Sequence, residues 1–226
     1  MREVVLDTET TGLDPEAGHR IVEIACLELV QRVPTGKIFH SYVDPERDMP
    51  DEAFQVHGLS EEFLSTQPRF AEIAAEFLSF VEDADLVIHN ADFDMKFLNA
   101  ELARLNQGPL SDVRVRDTLE MARRRFPGVQ VSLDALCRRF GIDNSGRVTH
   151  GARLDVELLT EVYLELTGGR QPGLGLAAGT AGAASSGAAR CRARPARPHA
   201  PTQEESEAHG EFLKGLNKPL WMSGRE

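Results

Sequence analysis

Apolar and polar positions divide the chain sharply at its start. Val4, Val5 and Leu6 run straight into Asp7 and Glu9 within the stretch VVLDTETTGL. So short an apolar run predicts a buried strand over residues 2–8. A second run, RIVEIACLELVQR at 20–32, is broken by Glu23 and Glu28, and GKIFHSYVD at 36–44 alternates as a third strand. Short loops join the three, so an antiparallel meander is expected. The period then changes. Phe70, Ile73, Ala74, Phe77, Leu78 and Val81 recur at helical spacing and predict an amphipathic helix. DLVIH at 85–89 predicts a short buried strand, residues 92–106 a helix, and VRVRD at 113–117 a fifth strand. Ser132 stands as an N-cap before Leu133, Leu136, Cys137 and Phe140. A last helix over 151–167 ends at TGG, a glycine stop. Strands first, then strands alternating with helices, predict an α/β fold: a mixed five-stranded sheet flanked by helices.

After Gly169 the pattern disappears. Residues 171–201 hold ten Ala, five Gly and four Pro, with no hydrophobic period, which is the composition of a flexible linker. From Thr202 the chain is charged, and it closes with FLKGLNKPLWMS, which contains its only Trp, Trp221. The expected organisation is a domain at 1–169, a linker at 170–201 and a tail at 202–226. A Trp and several leucines in a polar tail suit a docking anchor on a partner protein.

Charge narrows the function classes. The net −11 is uneven: residues 170–203 carry +5, residues 204–226 carry −2, and residues 1–169 are left with −14. Such a domain lacks the broad basic face of a non-specific nucleic-acid binder. Any nucleic acid held there needs bound cations, a local site or a partner. Three dispersed cysteines, Cys26, Cys137 and Cys191, form no CxxC pair and argue against a disulfide framework or a zinc site. No run approaches the ~20 apolar residues of a membrane span. The opening residues do not read as a signal peptide. A soluble, cytoplasmic protein without membrane attachment is expected.

Three acidic stretches carry the candidate chemistry. Asp7 and Glu9, two apart on a strand, share a face, and at ~5 Å and an effective dielectric of ~20 their repulsion costs ~3 kcal/mol. HNADFD places Asp94 at the start of a helix, and HGARLD places His150 before the last helix and Asp155 in its early turns. Each has an ordinary alternative. Asp7 and Glu9 could be solvated surface acids, and Asp92 and Asp94 acids favoured at a helix N-terminus. Asp155 and His150 could be exposed helix and loop residues. Taken together, four carboxylates match the charge of two divalent cations, and such pairs stabilise the attacking and leaving oxygens of a displacement at phosphorus. Mg²⁺ takes few carboxylates and keeps room for phosphate oxygens. A neutral imidazole beside them can act as general base. The reaction class inferred is metal-assisted phosphodiester hydrolysis.

The motifs LDTETTG, HNADFD and HGARLD, in that order and spacing, resemble the three motifs of the DEDDh exonucleases. Within that family they are most similar to the proofreading epsilon subunits of bacterial DNA polymerase III. PDEAFQVHGLS at 50–60 and YLELTGG at 163–169 add to the likeness, which covers 1–176 well, 202–226 loosely and the linker not at all. The resemblance implies a ribonuclease-H-like exonuclease fold and 3′→5′ hydrolysis of DNA ends, using two divalent ions, Mg²⁺ or Mn²⁺. Asp7 would bridge both ions, Glu9 and Asp155 would complete the first, Asp94 would hold the second, and His150 would deprotonate the attacking water. Glu52 and His57 match positions that contact the terminal nucleotide, and Thr10 would lie beside its 3′-OH. Asp92 matches no ligand. Gln171, Leu174 and Leu176, in QPGLGL at 171–176, resemble a short sliding-clamp-binding motif. Phe212, Leu213, Leu216 and Trp221 fall where the tail would dock on the polymerase alpha subunit, within a cytoplasmic replisome. A stand-alone RNA-trimming relative and a replisome scaffold are the other readings.

Overall fold

The computed structural model describes residues 1–110, 115–147, 149–168 and 200–215. Its strands are β1 (Arg2–Thr10), β2 (Ile21–Val30), β3 (Val33–Tyr42), β4 (Asp85–Ile88) and β5 (Val115–Asp117). They form one sheet in the order β3-β2-β1-β4-β5. β1 pairs antiparallel with β2 and parallel with β4, so the sheet is mixed, as expected. The fifth strand is met at Val115–Asp117; residues 111–114 lie outside the described residues.

The pleat of β1 sorts its side chains between two layers. Val4 and Leu6 enter a core built with α3 (Phe70–Val81) and α4 (Ala91–Arg104). Val5 enters the opposite core, with α6 (Leu133–Phe140) and α7 (Ala152–Leu166). Phe77, Phe97 and Tyr163 are fully buried in these layers, each apolar body contributing roughly 1.5–3 kcal/mol. The even and odd positions of β1 therefore report to different helices, and this decides which acids can meet.

Three further helices were not legible in the sequence: α1 (Asp51–His57), α2 (Glu61–Leu64) and α5 (Thr118–Arg125). They are short and mostly exposed, so no apolar stripe announces them. α5 starts straight from β5, because Asp117 Oδ1 accepts from the Leu119 and Glu120 N–H groups at 2.7 and 3.4 Å. The chain divides into two units, Met1–Leu176 and Ala177–Glu226. In the second, α8 (Gln203–Lys214) is closed by a capping box between Thr202 and Glu205 and buries no residue. Among the described residues no helix is long and apolar enough to cross a membrane.

Candidate active site

Asp7 and Glu9 follow Val5 on the β1 face that α7 covers. Asp155 sits one turn inside α7, whose N-cap is Gly151 and offers no side chain. Glu23 substitutes for it. Its Oε2 accepts the Ala152 N–H at 3.1 Å and its Oε1 meets His40 Nε2 at 2.7 Å. Glu23, on β2, lies directly opposite Glu9 on β1, and the register breaks between Glu9 and Thr10. The sheet thus fixes where α7 begins and brings Asp155 to Glu9.

Asp94 arrives from the other layer. Its Oδ1 accepts from the Thr8 N–H at 3.0 Å and the Thr8 hydroxyl at 2.7 Å, so the even-numbered Thr8 ties α4 to the strand between the two acids. α4 is entered through Asn90, in the left-handed region at φ 67°, a conformation that Asn tolerates. The Asp117 carboxylate accepts the Asn90 and Ala91 N–H groups at 3.2 and 3.1 Å and caps the helix from β5. His89, just before this turn, bonds the Thr118 hydroxyl at 2.9 Å. Asp92 points to solvent.

The acids are short of positive charge. Burial raises Asp7 well above the carboxylate range, and Asp94, Glu9 and Asp155 raise it further. Burial, then Asp155 and Glu23, push Glu9 up to about 8. Burial pushes Asp94 up to about 7 against the pull of its Thr8 hydrogen bonds. The buried Arg147 guanidinium opposes this at Asp7 and Glu9. Arg147 places Nε 2.6 Å from Asp155 Oδ1 and Nη2 2.5 Å from Oδ2, with Nη1 2.8 Å from Asp134. The same Nη2 lies 2.8 Å from His150 Nδ1.

Glu9, His150 and Asp155 each offer a ligand atom, all within 4.8 Å of one another. Hard oxygen donors with raised proton affinity and too little compensating charge are the donor chemistry that a divalent ion requires. The residues fit such an ion.

Beside the acids is a cleft of about 470 Å³ lined by Glu9, Thr10, Glu52, His57 and Phe93. Thr10 donates to the Gly12 carbonyl at 2.6 Å. A Cβ on Gly12 would lie 2.4 Å from the His19 ring, so this wall admits only glycine without rearrangement. Buried His57 accepts the Leu59 N–H at Nδ1 (3.0 Å), and burial lowers its pKa, which favours the neutral ring. Glu52 is exposed at the rim.

The structure thus gathers Asp7, Glu9, Asp94, His150 and Asp155 from β1, α4, α7 and the loop before α7, with Thr10, Glu52 and His57 in the adjoining cleft. Phe212 and Leu213 lie on α8, Phe212 exposed. Gln171, Leu174, Leu176, Leu216 and Trp221 lie outside the described residues. Sequence reasoning missed Arg147, Glu23, Thr8 and Asp117. Counting charge around the acids would have pointed to Arg147, three residues before His150. The other three reveal themselves only through register and capping.

A family model described as an exonuclease matches residues 4–163. The DNA polymerase III subunit epsilon of Rickettsia prowazekii is 58% identical over 174 residues, covering 76% of each chain. The chain belongs to the epsilon subunits of DNA polymerase III. The epsilon subunit of Rickettsia felis is 49% identical over 224 residues, 96% of this chain and 98% of that one. Exonuclease X, solved in complex with 5′ overhanging duplex DNA, superposes with a TM-score of 0.58 at 22% identity, over 73% of this chain and 90% of that one. That likeness bears out the exonuclease fold expected from the three motifs.

Proposed function

We propose that this chain is the proofreading subunit of a replicative DNA polymerase. It hydrolyses the 3′-terminal phosphodiester of single-stranded or mispaired DNA and releases nucleoside 5′-monophosphates. The observation that carries this reading is the meeting of four carboxylates from β1, α4 and α7, three of them with strongly raised proton affinity, beside a cleft of about 470 Å³. Asp7, Glu9, Asp94 and Asp155 would hold two divalent ions, Mg²⁺ or Mn²⁺, which when bound supply the charge that steadies the attacking and leaving oxygens. Asp7 would be shared between them, Glu9 and Asp155 would serve one ion and Asp94 the other. His150 takes the proton of the attacking water at an imidazole nitrogen. Thr10 positions the 3′-OH, while Glu52 and His57 orient the terminal nucleotide.

The catalytic domain ends near residue 169. Residues 170–201 tether it, and 202–226 dock on the polymerase alpha subunit through Phe212, Leu213, Leu216 and Trp221. Gln171, Leu174 and Leu176 engage the sliding clamp. A tether of ~30 residues would keep an acidic domain concentrated at a primer end that it would otherwise hold weakly. The match to the Rickettsia felis relative along nearly its whole length supports this arrangement.

The test is a digest of a 3′-mismatched DNA primer and a matching RNA by the full chain, with Mg²⁺ and with chelator. Single nucleoside 5′-monophosphates from DNA, only with metal, are expected. Faster trimming of RNA, or no hydrolysis with metal, contradicts the reading. Cutting after Gly169 should leave hydrolysis of short oligonucleotides intact and abolish co-purification with the alpha subunit; equal recovery by both forms would refute tail docking.

A further inference from the structure

We propose that Arg147 is a resident cation of this site, which yields Asp155 to an incoming divalent ion and in doing so releases the His150 imidazole. The inference rests on the metal-binding reading above. Both Asp155 oxygens are engaged by the fork of one guanidinium, at 2.6 and 2.5 Å. Asp155 also belongs to the tight donor group with Glu9 and His150. An ion held by Glu9 and Asp155 would compete with the Arg147 fork for the Asp155 oxygens. The Arg147 side chain is 7% exposed, and a buried charge stripped of its partner is costly. Exchange of one cation for another avoids that cost; simple dissociation does not.

The second consequence follows from the shared nitrogen. Nη2 holds both Asp155 and His150 Nδ1. A guanidinium only donates, so Nδ1 accepts, and the neutral ring then carries its proton on Nε2. In that tautomer neither ring nitrogen is free to accept a proton from water. His150 is held out of action by the group that occupies Asp155. Moving Nη2 away from Asp155 frees Nδ1 as well.

The fold supplies a second seat. Arg147 Nη1 is 2.8 Å from Asp134, which is half-exposed and itself held by Asn144 Nδ2 at 3.0 Å. Asp134 lies on α6, outside the metal-binding group, so the arginine keeps an ionic partner after release. Arg147 is a positioning residue in this scheme: it acts through Asp155 and His150 and need not touch DNA. The competing possibility is a fixed clamp that keeps Asp155 in place with or without the ion. The two differ in sign.

The experiment titrates Mg²⁺ alone into the full-length chain and into Arg147→Met, Arg147→Lys and Asp134→Asn, read by calorimetry and by ¹⁵N imidazole spectra. Exchange predicts that Arg147→Met lowers the melting temperature in chelator and tightens Mg²⁺ binding by about tenfold or more, since a bidentate competitor is removed. Arg147→Lys, which keeps the charge without the fork, should lie between and serves if the methionine variant does not fold. Asp134→Asn should weaken Mg²⁺ binding in the parent but not in the Arg147→Met background. The parent's His150 Nδ1 resonance should move on adding Mg²⁺, and in Arg147→Met it should begin near that position. Weaker or unchanged Mg²⁺ binding by Arg147→Met, or an Nδ1 resonance indifferent to Mg²⁺, overturns the exchange in favour of the clamp. Failure of the parent and all variants to bind Mg²⁺ would instead overturn the metal reading beneath it.

Discussion

Glu28 and Glu9 are both buried glutamates on adjacent strands, 3% and 9% exposed, yet their carboxyls are displaced in opposite directions. Around Glu28, Arg2 Nε stands at 2.7 Å, the Thr35 hydroxyl at 2.8 Å and Lys37 Nζ at 3.3 Å. The Arg2 and Thr35 hydrogen bonds lower its pKa to about 2. Around Glu9, burial and the neighbouring Asp155, Glu23 and Asp94 raise it to about 8. The first carboxylate is complete within the protein and serves the sheet. The second is incomplete, and so are Asp7 and Asp94 beside it. A fold tolerates such a shortage of positive charge where a ligand makes it up. That contrast, more than the presence of acids, separates the proposed metal site from the rest of this acidic domain.

The largest effect is expected at the shared acid. Asp7→Ala should reduce hydrolysis of a primer 3′ end below about 1% of the parent, because both proposed ions would lose a ligand. In chelator its stability should be no lower, since one of four mutually repelling acids is gone. A variant with more than that residual rate and an unchanged metal requirement removes Asp7 from the site. His150→Gln should cost about 100-fold in turnover while Mg²⁺ binding persists, the scale of general-base catalysis. The deficit should shrink as rising pH supplies hydroxide; a pH-independent deficit contradicts the proton-transfer role.

Stability should follow the two glutamates in opposite senses. Glu9 has a folded value of about 8 against an ordinary 4.5, so between these values the folded chain keeps a proton that the unfolded chain has lost. This contribution is full below about 4.5 and disappears as pH rises through about 8. Asp94, at about 7 against 3.8, acts in the same sense. The melting temperature in chelator should therefore fall between about pH 5 and pH 8, and Glu9→Gln should flatten that fall. Glu28 is the reverse: its contribution is present above about 4.5 and lost as pH falls through about 2. Glu28→Gln should lower the melting temperature at neutral pH, change it little near pH 2 and leave hydrolysis unaltered. Parallel pH profiles for Glu9→Gln and Glu28→Gln would erase the distinction between the two environments.

The five proposed catalytic residues were legible from their places, Asp7 and Glu9 at the end of an apolar strand, Asp94 and Asp155 in the first turns of helices and His150 before one, and from the resemblance of their three motifs to those of the DEDDh exonucleases. What holds them was not. Glu23 reads in sequence as a flaw in an apolar run, and its task at the start of α7 depends on lying opposite Glu9 across the sheet. Arg147 sits in the irregular stretch NSGRVTH, where no period assigns it a face. Its partners on α6 and α7 are set by how those helices pack, a tertiary fact. α1 and α5 were missed for a related reason, since seven or eight mostly exposed residues carry too little apolar pattern to register.

The account rests on the claim that the carboxylates left incomplete by the fold are completed by divalent ions. The most direct measurement is calorimetric titration of Mg²⁺, without DNA and near pH 8, into the full-length chain, Asp7→Ala and Glu28→Gln. The parent and Glu28→Gln should bind alike, while Asp7→Ala should lose binding. Equal binding by all three, or none by the parent, would contradict it.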